Sequence, residues 1–172
     1  MLVKNSRKWL ALIIAAALYY IVHEGAHMVV ALLHGTFRRI RFIKWGLGVQ
    51  IVADIDVMSS FQIFVFSIIG AVATLLVGYI MVWQRNNMLR FSSKLLRAIA
   101  YYTTLIFLCL DPLYLSVISH FVGGGDLNGI VLVGIPETVA VVFFLMLLAF
   151  NLFLFTKFVY PSYKRKFQSI NS

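Results

Sequence analysis

The residues with the clearest chemical potential form one short stretch, His23-Glu24-Gly25-Ala26-His27. Two histidines four residues apart project from the same face of a helix and can share one Zn²⁺, while the adjacent Glu24 can act on a metal-bound water. The chain has 172 residues and 4 His, and this spacing arises by chance about 0.001 times in such a composition. The stretch lies inside an apolar run, where a charged side chain near the centre of a spanning helix costs about 2.5–3.5 kcal/mol and needs a compensating partner. A metal ion is one such partner. Hydrogen bonds between helices, or membership of a proton relay in a transporter, are the others.

Two imidazoles leave a catalytic zinc one protein ligand short. Asp126 is the first candidate for the third place, because it follows Gly123-Gly124-Gly125 at a break between apolar runs. Irregular backbone at membrane depth occurs only where it is buried in protein or lines a water-filled cavity. Its alternative is a polar turn residue at the membrane surface. Asp111, directly before Pro112, is the second candidate; its alternatives are hydrogen bonding behind the ligands, holding a substrate strand, or capping a broken helix. Asp54 and Asp56 read as solvated loop charges. His34 and His120 fall near expected helix ends and read as interfacial histidines. Glu137 reads as a first-turn acid favoured by the helix dipole. The single Cys109 excludes an intrachain disulfide framework and a cysteine-rich metal site, and its apolar setting gives it a packing role.

The elements that must carry these residues follow from the apolar runs. The first helix is expected at about 9–33 and holds the motif; at 1.5 Å per residue it can cross a hydrocarbon core of about 30 Å. Its basic start and Ala15-Ala16-Ala17 imitate a secretory signal, but the apolar pattern continues past any cleavage point, so an uncleaved helix is expected. From about 38 to 56, alternation of Ile40, Phe42, Val49, Ile51 and Ala53 with polar residues predicts a β-hairpin, turning at Gly46 and Gly48. A second helix is expected at 61–83, with Gly70, Thr74 and Gly78 on one face for close approach of another helix. A third is expected at 98–122, kinked or broken at Asp111-Pro112. An irregular entry then precedes a fourth at about 138–158.

Composition agrees with this plan. Apolar residues make up 62% of the chain and charged ones 12%, with a mean hydropathy of +0.93, which excludes a soluble globule. The 15 Lys and Arg against 6 Asp and Glu sit in short clusters between uncharged runs, so they are topological charge and no nucleic-acid surface. Most of them fall at the termini and in the second connector, which favours both termini in the cytoplasm. Arg38, Arg39, Arg41 and Lys44 in the hairpin pull the other way. The expectation is one membrane-embedded domain over residues 1–172: an all-α polytopic membrane protein, integral and multi-pass, in the cell membrane. It has about four transmembrane helices and a short β-hairpin between the first and second.

The stretch from His23 to Gly35 resembles the active-site helix of site-2 protease-like intramembrane zinc metalloproteases, the membrane zincins. Gly70-Ala71-Val72-Ala73-Thr74 is similar to that family's Gly-x-x-x-Asn element, with Thr74 in place of Asn. Asp126 occupies the place of the ligand in its Asn-Pro-x-x-Asp-Gly element, although Asp111-Pro112 lies too far upstream to supply the Asn-Pro pair. The resemblance covers about residues 10 to 130 and is strongest at 23 to 35.

It implies an intramembrane zinc metalloprotease that hydrolyses peptide bonds of membrane-embedded substrates. One Zn²⁺ per chain would be held by His23, His27 and Asp126, with Glu24 activating a zinc-bound water. A helical substrate would partly unwind and pair with an extended edge offered by the hairpin or the glycine-rich break. The expected partners are a membrane protein or transmembrane peptide as substrate and the lipid bilayer. Members of that family commonly place the catalytic centre near the cytosolic face, opposite to the side that the charge distribution assigns to the hairpin and Asp126. Two other readings stay open. One is a transporter, proton relay or inactive scaffold. The other is an intramembrane aspartyl protease, since Gly123 to Asp126 also satisfies Gly-x-Gly-Asp, with Asp111 as the partner carboxylate.

Overall fold

The computed structural model describes residues 2–42, 49–123 and 125–168, with side chains from residue 6 onward. The expected hairpin turn at Gly46 and Gly48, the basic Lys44, and Gly124 lie outside the described residues. The chain is 82% helical. Four runs are long and apolar enough to cross a membrane: Ser6–Leu33, Ser60–Trp83, Lys94–Val122 and Glu137–Gln168.

Helix α1 (Leu2–Leu33) starts earlier than the apolar pattern alone predicts. It ends where Gly35 takes φ +65°, a conformation that costs glycine nothing. There the Thr36 N–H donates to the Ala31 carbonyl at 2.8 Å and the Gly35 N–H to the Leu32 carbonyl at 3.1 Å, satisfying the last helical carbonyls. This turn launches β1 (Phe37–Phe42), which pairs antiparallel with β2 (Val49–Ala53) in the register Ile40↔Ile51 and Arg41↔Gln50. The Asp54 N–H closes the base of the hairpin on the Thr36 carbonyl at 2.8 Å. Strand β1 is mostly exposed while Ile51 of β2 is buried, so the hairpin lies with β2 inward against α1.

Helix α2 (Ser60–Trp83) opens with a reciprocal cap, Ser59 and Gln62 each bonding the other's backbone N–H, which satisfies two otherwise orphaned donors. A single turn, α3 (Arg85–Met88), and the cap by Ser93 lead into α4 (Lys94–Leu113). The small-residue face of α2 is buried, and a Cβ on Gly78 would stand 3.0 Å from Leu108 of α4. Close approach of these two helices therefore depends on that stripe.

Of the two outcomes expected at Asp111-Pro112, a kink or a break, the helix does not break. It runs on through a π turn (Tyr114–Ile118) into α5 (Ser119–Val122). Pro112 lacks the N–H that would bond the Leu108 carbonyl four residues earlier. The amide of Asn151, fully buried on α7 (Glu137–Leu154), supplies the missing donor at 2.6 Å. The same amide accepts from the Tyr79 hydroxyl of α2 at 2.8 Å, so one side chain ties three helices together while repairing the proline defect.

Two further expectations are corrected. The segment after Gly123, which takes φ +79°, is a short helix α6 (Gly125–Leu132) rather than an irregular entry. The fourth run does not stop at 158 but continues through a π turn (Phe155–Val159) into α8 (Tyr160–Gln168), carrying the basic tail in helical form. Leu127 and Ile130 of α6 are buried with Ala71, Leu115, Ala140 and Phe144. Apolar packing thus seats α6 on the bundle despite its length. Large apolar side chains such as Ile13, Ile21, Leu76 and Met146 are exposed, the outward pattern of helices bathed in lipid.

Candidate metal centre

The 3.6-residue period of α1 stacks Tyr19, His23 and His27 on one stripe. The Nε2 atoms of His23 and His27 lie 3.2 Å apart. Asp126, in the first turn of α6, brings Oδ2 to 3.4 Å from His23 Nε2 and 3.7 Å from His27 Nε2. Ligand atoms of a tetrahedral zinc with bonds of about 2.0–2.1 Å stand about 3.3–3.4 Å apart, and the three separations bracket that spacing. The donor set, two imidazoles and a carboxylate, is also one that zinc accepts.

Close backbone approach shapes this cluster. An ideal Cβ on Gly70 would fall 2.5 Å from His27 Nε2 and 2.6 Å from His23 Cε1, so α2 presses bare backbone against both rings. A Cβ on Gly129 would overlap Ser67, so the second glycine contact holds α6, and with it Asp126, against α2. His27 also meets the Phe66 ring edge-on at 4.9 Å between centroids.

Behind the cluster, Asp111 is buried. Its Oδ1 lies 3.1 Å from His23 Nδ1 and accepts from the Tyr19 hydroxyl at 2.5 Å, and its Oδ2 accepts from Thr74. The two aspartates therefore address opposite nitrogens of one ring. His27 Nδ1, by contrast, is buried and meets no hydrogen-bond partner among the described residues.

Glu24 is half-buried beside the pair, and its Oε2 accepts from the Ile51 N–H of β2 at 2.8 Å. A cavity of about 600 Å³ opens here, bounded by α1, the hairpin, α2 and α6. Glu24 and Asp126 line it, with Asp111 just behind, and Arg41 of the hairpin is the one Lys or Arg among its described lining residues. Three carboxylates against one exposed guanidinium leave an excess of negative charge that a divalent cation would balance. Burial alone would raise the Asp126 carboxyl, but the imidazoles of His23 and His27 outweigh it and hold that group lowered to about 2.

The other titratable candidates lie elsewhere. Asp54 pairs with Arg38 at 2.5 Å on the outer strand, and Asp56 is exposed. His34 meets Gln62 at 3.0 Å, and His120 pairs with Glu137 at 3.2 Å, all on the surface. Cys109 is buried in the apolar cluster with Phe155 and Tyr163. Sequence reasoning missed Tyr19 and the contact of Gly70 with the imidazoles. Tyr19 carried a usable signal, since it precedes His23 by the same four residues that separate His23 from His27.

Comparison of the chain with family models, with curated proteins and with solved structures finds no match.

Proposed function

We propose that this chain is a multi-pass membrane protein of the cell membrane that acts as a zinc metalloendopeptidase on membrane-embedded substrates. The observation that carries the reading is the convergence of His23 Nε2, His27 Nε2 and Asp126 Oδ2 at zinc-ligand spacing, in a cavity that Glu24 also lines. Zinc, when bound, draws electron density from the scissile carbonyl and brings the ionisation of a water into the neutral range. His23, His27 and Asp126 would hold it. Glu24 takes the proton from the attacking water and delivers it to the leaving amine, and the Ile51 N–H keeps its carboxylate turned toward the hairpin side of the cavity. The resemblance to membrane zincins supports the same assignment. An aspartyl dyad is less well supported, because the His23 ring stands between Asp111 and Asp126, and two carboxylates that share a proton need direct contact.

Zinc content of detergent-purified protein tests the ligand set. One zinc per chain is expected in the wild type, with loss in His23→Ala and in Asp126→Ala. Glu24→Gln should keep the metal and lower cleavage of a reconstituted transmembrane substrate by about 10²-fold or more. A wild type that takes up no zinc on loading defeats the proposal. Cleavage unchanged by Glu24→Gln would favour a scaffold that holds metal without using it.

A further inference from the structure

Metal-binding histidines depend on the partner of their second ring nitrogen, which sets the tautomer and the ring orientation. In this protein the two imidazoles differ sharply in that respect. His27 Nδ1 has no hydrogen-bond partner among the described residues, whereas His23 Nδ1 faces the buried Asp111 carboxylate at 3.1 Å. That carboxylate is itself held from two sides. The Tyr19 hydroxyl, one helical turn before His23, donates to Oδ1 at 2.5 Å, and the Thr74 hydroxyl of α2 donates to Oδ2. Thr74 has other acceptors in the carbonyls of Gly70 and Ala71, but its single proton is best placed on the charged oxygen.

A carboxylate only accepts, so the proton of a neutral His23 ring resides on Nδ1 and the lone pair of Nε2 points toward His27 and Asp126. We propose that Asp111 is a positioning residue for the metal centre: with Tyr19 and Thr74 it locks His23 in the tautomer and orientation that offer Nε2 to the ion and makes that nitrogen a stronger donor. The network spans α1, α2 and α4, so it also sets the distance between the helix that supplies the imidazoles and the helices packed behind it. His23 is consequently the preorganised ligand and His27 the adaptable one. This inference rests on the zinc reading above.

Zinc affinity, measured by chelator competition on purified full-length protein in detergent, separates the two claims. Asp111→Asn preserves shape and removes the charge. It should still bind one zinc per chain, about 10–100-fold more weakly than wild type, with an unchanged helical circular-dichroism spectrum; the surface variant Asp54→Asn should bind as wild type does. A purely structural Asp111 predicts wild-type affinity in this isosteric variant, and that result overturns the inference while leaving the zinc reading intact. Complete loss of zinc, as in His23→Ala, would make Asp111 a ligand and also overturns it. If Asp111→Asn does not fold, Tyr19→Phe decides: severalfold weaker binding supports the network and unchanged binding refutes it. Absence of zinc from the wild type removes the zinc reading itself, and the inference falls with it.

Discussion

At the scale of single residues, the site combines groups that the membrane interior tolerates only in company. Two imidazoles and three carboxylates meet within a few side chains of each other, and both Asp111 oxygens and Glu24 Oε2 accept hydrogen bonds. Ligation requires neutral imidazoles, so the sign of the pH dependence follows directly. Protons compete with a metal for Nε2, so zinc affinity should fall as the pH is lowered. Chelator competition at a series of pH values checks this, and an affinity that is flat between pH 7 and pH 5 would be incompatible with two histidine ligands.

At the scale of elements, glycine contacts and one asparagine do the positioning. Gly70 sits where any side chain would displace the imidazoles, so Gly70→Ala should lower zinc affinity by about tenfold or more, the second-sphere range, while the helical content stays the same. Asn151 makes its hydrogen bonds to Tyr79 and Leu108, away from the histidine cluster, and repairs the carbonyl that Pro112 leaves unpaired. Asn151→Leu should destabilise the bundle by about 1–2 kcal/mol, read as a lower denaturant midpoint, with zinc affinity of the folded protein unchanged. The two variants should therefore separate site geometry from bundle stability. If Asn151→Leu weakened zinc binding as strongly as Gly70→Ala, the bundle defect and the site would be one unit. The helix through Pro112 also shows why the sequence could not choose between a kink and a break. Proline's local cost is readable in sequence, but its compensating donor is 39 positions away on another helix.

For the whole molecule, four membrane-length runs put the hairpin and α6 at one end of the bundle and the connector around α3 at the other. The cavity is built from that one end, since both the hairpin and α6 line it. In a Cys109→Ala background, single cysteines at the exposed positions Arg39 and Glu137 should react with an impermeant thiol reagent from the same side of sealed vesicles. One at Arg90 should react only from the opposite side. Labelling of Arg39→Cys and Arg90→Cys from a common side would contradict the four-span arrangement. The labelled side also decides between the charge distribution, which sends the hairpin outward, and the topology implied by the zincin resemblance.

The sequence by itself determined what is local or periodic. Apolar runs of sufficient length specify four membrane-length helices, alternation specifies the hairpin, and the four-residue spacing of His23 and His27 puts both rings on one face, because helix geometry relates near neighbours without reference to anything else. Boundaries were less legible, since α6 is helical where an irregular entry was expected and the last helix runs on past 158 into α8. Only the tertiary structure decided which carboxylate faces which nitrogen. The glycine-rich break ranks Asp126 ahead of Asp111 as a ligand candidate, but no local pattern in the sequence gives the ring nitrogen of His23 that each one faces. That difference arises from the close approach of α2 at Gly70 and Gly129 and from the apolar seat of α6. These are contacts between segments far apart in the chain, and their geometry exists only once the helices have packed.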